Sequence, residues 1–406
     1  MVDVRPFRAL RPASGRAQAL ISPPYDVIDV EEARAYAGGD PDSFLRVSRA
    51  EIDLPADVDP HAAEVYAHGR INLDDFVARG LLVRDDGPTY SVYRLVMGAV
   101  TQIGIVAAVS VDDYDAGRVR IHEYTRPDKE LDRVKHIEAL DAQDEPVFLL
   151  SRRSADVDAL VRKAMDRAPA IDVVSREGIA HTLWVIDDAQ EVSLLHRALG
   201  EVGDLYVADG HHRSAAASRV HAARRGQAGE HDSFMAVVFP LDDVHVMAYN
   251  RVVADLCGRR PSEFLELLRE VMTVTESSQA IAPIHRHEFG VYMDGRWLVG
   301  RIAEVDESDP LARLDVSLLQ DRILAPLLAI GDPRTDARIA FVGGIRGTAE
   351  IERLVDSGRA AIGFTLCPTS TQELVDVAGE GKVMPPKSTW FEPKLASGLF
   401  VHPIAD

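Results

Sequence analysis

Lysine is nearly missing from this chain. Of 45 lysines and arginines only six are lysine: Lys129, Lys135, Lys163, Lys382, Lys387 and Lys394. Five of them fall in two short segments, 129–135 and 382–394. An ammonium is a compact point charge suited to phosphate oxygens, whereas a guanidinium is a planar fork. Clustered lysines in an arginine-using chain therefore mark candidate anion sites, against chance placement on a wet surface. Cysteine is scarcer still. Cys257 and Cys367 stand far apart with no Cys-x-x-Cys or Cys/His ligand spacing, which argues against structural zinc and favours a reducing compartment. No apolar run reaches the length of a membrane span, and the N-terminal MVDVRPFRAL lacks the apolar core of a signal peptide. A cytoplasmic protein with no membrane partner is the expectation. Long basic runs are absent too. With a net charge of −20 and a pI near 5.1, a DNA partner is not expected.

What the chain has is length. At 406 residues it exceeds the usual limit for one core, so two or three domains are predicted. The first forty residues read as extended and proline-punctuated. Within them Ser22-Pro23-Pro24-Tyr25-Asp26 forms a rigid turn that holds Asp26 in place or is capped by it. Residues 59–80 carry a helical pattern ending at Gly80. Residues 90–97 and 100–111 read as antiparallel strands around Gly98, 146–150 as a short buried strand, and 234–240 and 244–253 as further strands. A helix at 262–271 and a low-signal stretch at 274–286 predict a boundary, giving regions 1–275 and 276–406. Beyond it lie a hairpin turning at Asp294-Gly295 and a βαβ-like run over 338–379. The predicted class is α/β, or mixed α+β, with mixed sheets.

The densest chemistry is in YVADGHHR, residues 206–213. A buried strand runs into Asp209 and Gly210, and an alanine-rich helix follows at 214–224. Such a corner aims backbone N–H groups and the positive end of a helix dipole at one point, beside His211, His212 and Arg213. An anion, above all a phosphate, is its natural occupant. Asp209 has the wrong sign for an anion site, and a carboxylate there holds a metal ion or takes a proton. The competing reading is a plain Asp-Gly turn with histidines capping a helix.

Two further segments are polar and dense. His122, Glu123, Thr125, Lys129, Asp132 and Arg133 surround a predicted helix start, where Glu123 and Lys129 would tune one another's pKa. Asp132 and Arg133 are adjacent on that helix and are expected to point apart rather than pair. Val383 to Lys394 is a proline-held loop with Lys387, Ser388 and Thr389 beside Trp390 and Phe391. It suits a phosphate or carboxylate clamp, or a rigid loop with its aromatics in the core.

The pieces PFRAL (6–10), PPYDV (23–27), HEYTRPDKELDR (122–133), PVFLL (146–150), YVADGHHR (206–213) and MPPKSTWFEPKL (384–395) resemble, in order, the domain of unknown function 1015 family. Its DGHHR element is similar to the phosphate-binding corner of the ParB/sulfiredoxin-like superfamily, which includes free-serine kinases. The resemblance implies a ParB/sulfiredoxin-like nucleotide-binding core over 1–275, with a C-terminal α/β portion contributing the MPPKSTWF loop. It implies that Gly210, His211, His212, Arg213 and Lys387 bind the phosphates of ATP or ADP. Asp209 would hold Mg²⁺ or assist the base, and Glu123 would be the base. Two departures bear on the substrate: Asp141-Ala142-Gln143-Asp144-Glu145 where an asparagine-containing segment is expected, and Tyr249-Asn250-Arg251 where a His-Arg pair is expected.

The function expected is a nucleotide-dependent phosphotransferase acting on the hydroxyl of a small acid, first of all free L-serine. Its catalytic set would be Glu123, Asp209, His211 and Lys129, and a homo-oligomer would be compatible with it. The alternative is a ParB-like nucleotide-binding regulator without kinase activity. A sulfiredoxin-like reductase ranks last, because histidines stand where that chemistry needs a cysteine.

Overall fold

The computed structural model describes residues 1–405. Contacts divide the chain into two units, Met1–His245 joined by the C-terminal segment from Pro393, and Val246–Glu392. The class is mixed α/β, as expected.

The first unit is built on a nine-stranded mixed sheet. Its strand order is Val119–Arg120, Leu205–Asp209, Val147–Ser151, Ser233–Pro240, Val100–Ser110, Tyr90–Met97, Ala180–Ile186 and Ile171–Val174, with Val4–Arg5 pairing Val100–Ser110. Tyr90–Met97 and Val100–Ser110 form the predicted hairpin, closing Met97 against Val100. Ser233–Phe239 is buried at every position, which explains its near-continuous apolar run. Helices Ala155–Met165 and Ala189–Gly200 lay Val157, Val161, Leu195 and Leu199 on this sheet's core. Helices Pro127–Leu140 and His211–Ala223 share a second cluster of Val134, Ile137, Ala216 and Val220 with Ile404. A fully buried aliphatic side chain contributes roughly 1.5–3 kcal/mol, so these clusters hold in place the strand and helix that meet at Gly210.

Three local expectations are corrected. The first forty residues are not extended throughout, since Val30–Ala37 is helical behind an Asp29/Glu32 capping box. The alanine-rich helix begins at His211, not Ser214, so both histidines and Arg213 lie in its first turn. The stretch 244–253 is two strands, His245–Met247 and Tyr249–Val253.

The second unit has a six-stranded sheet in the order Thr273–Ser277, Arg296–Arg301, Glu288–Met293, Ile362–Leu366, Tyr249–Val253, Ile339–Gly343. The boundary expected at 275 falls inside the first of these strands, where Thr, Glu and Ser give little apolar signal. Tyr249–Val253 pairs antiparallel with Ile339–Gly343 and with Ile362–Leu366. Those two strands are therefore parallel, joined over helix Gly347–Asp356 as the βαβ-like pattern predicts.

Candidate functional site

The corner at residues 209–213 is shaped by its backbone. Leu205–Asp209 pairs antiparallel with Val147–Ser151, and the register slips between Val207 and Asp209. Such a bulge re-aims the side chain beside it, here Asp209. Gly210 follows with φ 91° and caps the helix His211–Ala223. A Cβ at Gly210 would lie 3.0 Å from Arg213 Nε, 3.1 Å from its Cζ and 3.3 Å from Val147 Cα. Glycine is required here both for the left-handed turn and for the arginine behind it. Gly210→Ala is expected to cost roughly 1–3 kcal/mol. An unchanged melting temperature would show that the turn carries no such constraint.

Arg213 is the centre of the charge arrangement. One of its terminal nitrogens donates to Pro146 O, and its buried Nε has no hydrogen-bond partner. Asp26 Oδ2, Glu145 Oε2 and Asp209 Oδ1 each lie 3.9 Å from the guanidinium, beyond hydrogen-bonding distance. The fork is thus surrounded by charge but largely unengaged, at a helix N-terminus whose first N–H groups lack intrahelical acceptors. Asp209 accepts from Gly210 N–H at 2.8 Å and from Lys394 Nζ at 2.9 Å. Burial pushes its carboxyl up, but Lys394 and Arg213 outweigh that and hold it well below the usual carboxylate range.

Glu145 is almost wholly buried. Its Oε1 accepts from Tyr25 N–H at 2.9 Å and Ser397 Oγ at 2.6 Å, while Oε2 has no hydrogen-bond partner. Burial, opposed by Arg213 and reinforced by Asp144 and Asp26, pushes its carboxyl up to about 7. The Tyr25 ring in turn lies 3.8 Å from the Arg133 guanidinium, and Tyr25 O accepts from Arg49 at 2.8 Å. The rigid PPYD turn is therefore clamped with Asp26 facing Arg213. Asp144 pairs with His136 at 3.0 Å. A cavity of about 20 Å³, room for one water, lies among Tyr25, Arg133, His136, Asp144, Glu145 and Arg213.

The histidines are buried as a pair. The His122 and His211 rings meet edge to face at 4.5 Å. His122 Nδ1 lies 2.7 Å from Val207 O, and a carbonyl only accepts, so Nδ1 carries the proton. Burial holds His122 at about 4 and His211 well below its ordinary value, so both are neutral at neutral pH. His211 Nε2 is buried without a hydrogen-bond partner. His212 Nε2 instead accepts from Arg126 N–H at 3.1 Å.

That bond helps bring the segment 122–130 to the corner. Thr125 donates to Glu130 at 2.6 Å, and Glu130 takes Arg219 of the corner helix at 3.0 Å. Val119–Arg120 runs parallel to the corner strand with Val119 opposite Leu205. The short strand ends at Arg120, and beyond it His122 Nδ1 lies 2.7 Å from Val207 O, so the segment that carries Glu123 leaves the sheet beside the corner strand. Glu123 is half-buried, whereas Lys129 is exposed on helix Pro127–Leu140. Asp132 and Arg133 do pair, at 2.7 Å, contrary to expectation. The reason is burial: Asp132, held also by Tyr66 and His61, is the nearest acceptor for a guanidinium shut away from water.

Lys387, expected on the phosphates, belongs to the second unit. There its ammonium lies 5.6 Å from the Tyr249 ring and its carbonyl accepts from Arg251 at 3.0 Å. Sequence reasoning named Glu145 only within the 141–145 departure and Lys394 only among the clustered lysines, and gave neither a place at the corner. Each carried a signal: two acids immediately before an all-apolar strand, and one of six rare lysines.

The donor set does not fit a resident divalent ion. Both Asp209 oxygens are engaged, and among the described residues no group of three His, Cys, Asp or Glu could hold a metal.

Residues 4–317 match the model of a family described as protein of unknown function (DUF1015). No curated protein matches the chain. Among solved structures, a free serine kinase mutant in complex with AMP is 14% identical with a TM-score of 0.35, over 70% of this chain and 86% of that one. Another free serine kinase mutant, in complex with ADP, is 13% identical with a TM-score of 0.34, over 70% and 87%. SbnI with a C-terminal truncation, from Staphylococcus aureus, is 12% identical with a TM-score of 0.38, over 73% and 87%. Likenesses this distant carry no activity across.

Proposed function

The chain belongs to the DUF1015 family of proteins of unknown function, and on that premise we propose that it is a nucleotide-dependent phosphotransferase acting on the hydroxyl of a small acid. Free L-serine is the first acceptor to test, ATP and ADP the first donors, and a ParB/sulfiredoxin-like core the proposed ancestry. One observation carries the reading: Arg213, whose single side-chain hydrogen bond among the described residues goes to Pro146 O and whose buried Nε has no partner, stands at a helix N-terminus entered through a left-handed glycine. That arrangement receives a phosphate.

In this reading Gly210 to Arg213 cradle the donor phosphates, and Lys394 steadies Asp209 beside them. Buried neutral His211 keeps Nε2 available to a ligand oxygen or proton. As the acceptor oxygen bonds to phosphorus and the bond to the leaving nucleotide breaks, Glu123 takes the hydroxyl proton. Lys129 offsets charge from the exposed helix start. Phosphoryl transfer asks for positioning, cations and one base. Mg²⁺ would come as the counterion of the phosphates, and no step is assigned to it.

A melting-temperature panel with ATP, ADP, CTP and GTP tests donor binding, since a ligand of the native state raises the transition by mass action. Arg213→Ala is expected to weaken the best nucleotide by roughly 1.5–3 kcal/mol. If no nucleotide stabilises the protein, the phosphotransferase reading falls. If nucleotide binds but no phosphate reaches serine or other hydroxy acids, a nucleotide-binding regulator replaces it.

A further inference from the structure

We propose that an oxyanion entering the Arg213 corner is taken up together with one proton, which goes from solvent to Glu145 Oε2. The inference rests on the corner being an anion site.

Charge balance is its starting point. Arg213 and Lys394 face three carboxylates, those of Asp26, Glu145 and Asp209. A doubly charged oxyanion on the Arg213 fork adds negative charge to a group already one cation short, so a carboxylate must give way. Asp209 keeps Lys394 at 2.9 Å. The Asp26 side chain is 39% exposed and keeps water. The Glu145 side chain is 2% exposed, and among the described residues Arg213 is the one cation within ion-pair distance of it.

The position of the proton follows from the hydrogen bonds. Oε1 is engaged by Tyr25 N–H and Ser397 Oγ, so Oε2, which lacks a partner, accepts it. The groups facing Glu145 come from every element around it: Tyr25 and Asp26 from the proline turn, Arg133 and His136 from helix Pro127–Leu140, Asp144 beside it, Arg213 from the corner helix, and Ser397 from the C-terminal segment. Arg133 is committed to Asp132 and His136 to Asp144. Neither replaces Arg213 once a ligand takes its charge. Burial already favours the protonated carboxyl and Arg213 opposes it, so sharing Arg213 with a ligand shifts the balance towards the proton. The cavity of about 20 Å³ leaves room for one water to carry it.

Sulfate is the probe, because it stays fully ionised through the neutral range. Calorimetry in buffers of different ionisation heat should show uptake approaching one proton per sulfate, with affinity falling towards tenfold per pH unit above neutrality. Glu145→Gln, which keeps the size and the Oε1 contacts, should bind sulfate with neither uptake nor pH slope. In the parent protein a carboxylic-acid infrared band should appear on adding sulfate, a readout that does not depend on the variant folding. Sulfate binding without proton uptake overturns the coupling and leaves the anion corner standing. Undiminished uptake in Glu145→Gln overturns the assignment to Glu145. If neither sulfate nor pyrophosphate binds the parent, the anion reading itself fails, and the coupling with it.

Discussion

Glu123→Gln is expected to lower phosphate transfer by about 10²–10⁴-fold while nucleotide affinity stays within about twofold of the parent. The amide keeps the size and most hydrogen bonds of the carboxylate but cannot accept a proton. The loss therefore belongs to the transition state and should appear in kcat. The measurement is single-turnover transfer beside nucleotide binding on the same preparation. Near-normal turnover removes Glu123 from the chemistry. Loss of nucleotide binding instead makes it a structural group and moves the base assignment to Asp209. Asp209 is the weaker candidate, because Lys394 and Arg213 hold it ionised so firmly that it is a poor proton acceptor.

The second large effect is on stability. Glu145 titrates at about 7 in the fold against 4.5 for an ordinary glutamate. Between those values the native protein holds a proton that the unfolded chain has released, so this group's contribution to stability declines as pH rises through the window and is level above it. The full decline is about 3 kcal/mol. Glutamine mimics the protonated form, so Glu145→Gln is expected to be more stable than the parent by up to about 3 kcal/mol near pH 8, with the gap closing near pH 5. Asp132, Asp144 and Asp209, whose carboxyls are held low, lose stability in the opposite direction on acidification, but both proteins share that loss. Denaturant unfolding across the window decides the matter: parallel curves mean that Arg213 compensates Glu145 fully in the resting protein.

Much of the corner's backbone is legible in the sequence. A buried apolar run ending in Asp-Gly, followed by alanine-rich sequence, can be read locally, because strand burial, the left-handed glycine and helix propensity each depend on a few neighbouring residues. The same holds for the hairpin of Tyr90–Met97 and the turn at Asp294-Gly295, where both residues have positive φ. The PPYD turn was readable as rigid, but what it faces was not.

What the sequence by itself determined is the set of local pieces, their order and the side-chain types gathered at residues 209–213. Tertiary structure alone decided which charges meet there. Lys394 reaches Asp209 across 185 residues and Ser397 reaches Glu145 across 252, because the C-terminal segment returns to the first unit. It also decided that Asp132 and Arg133 pair and that Glu145 leaves water. Ion pairing and desolvation depend on distance and burial in space, which spacing along a chain does not encode.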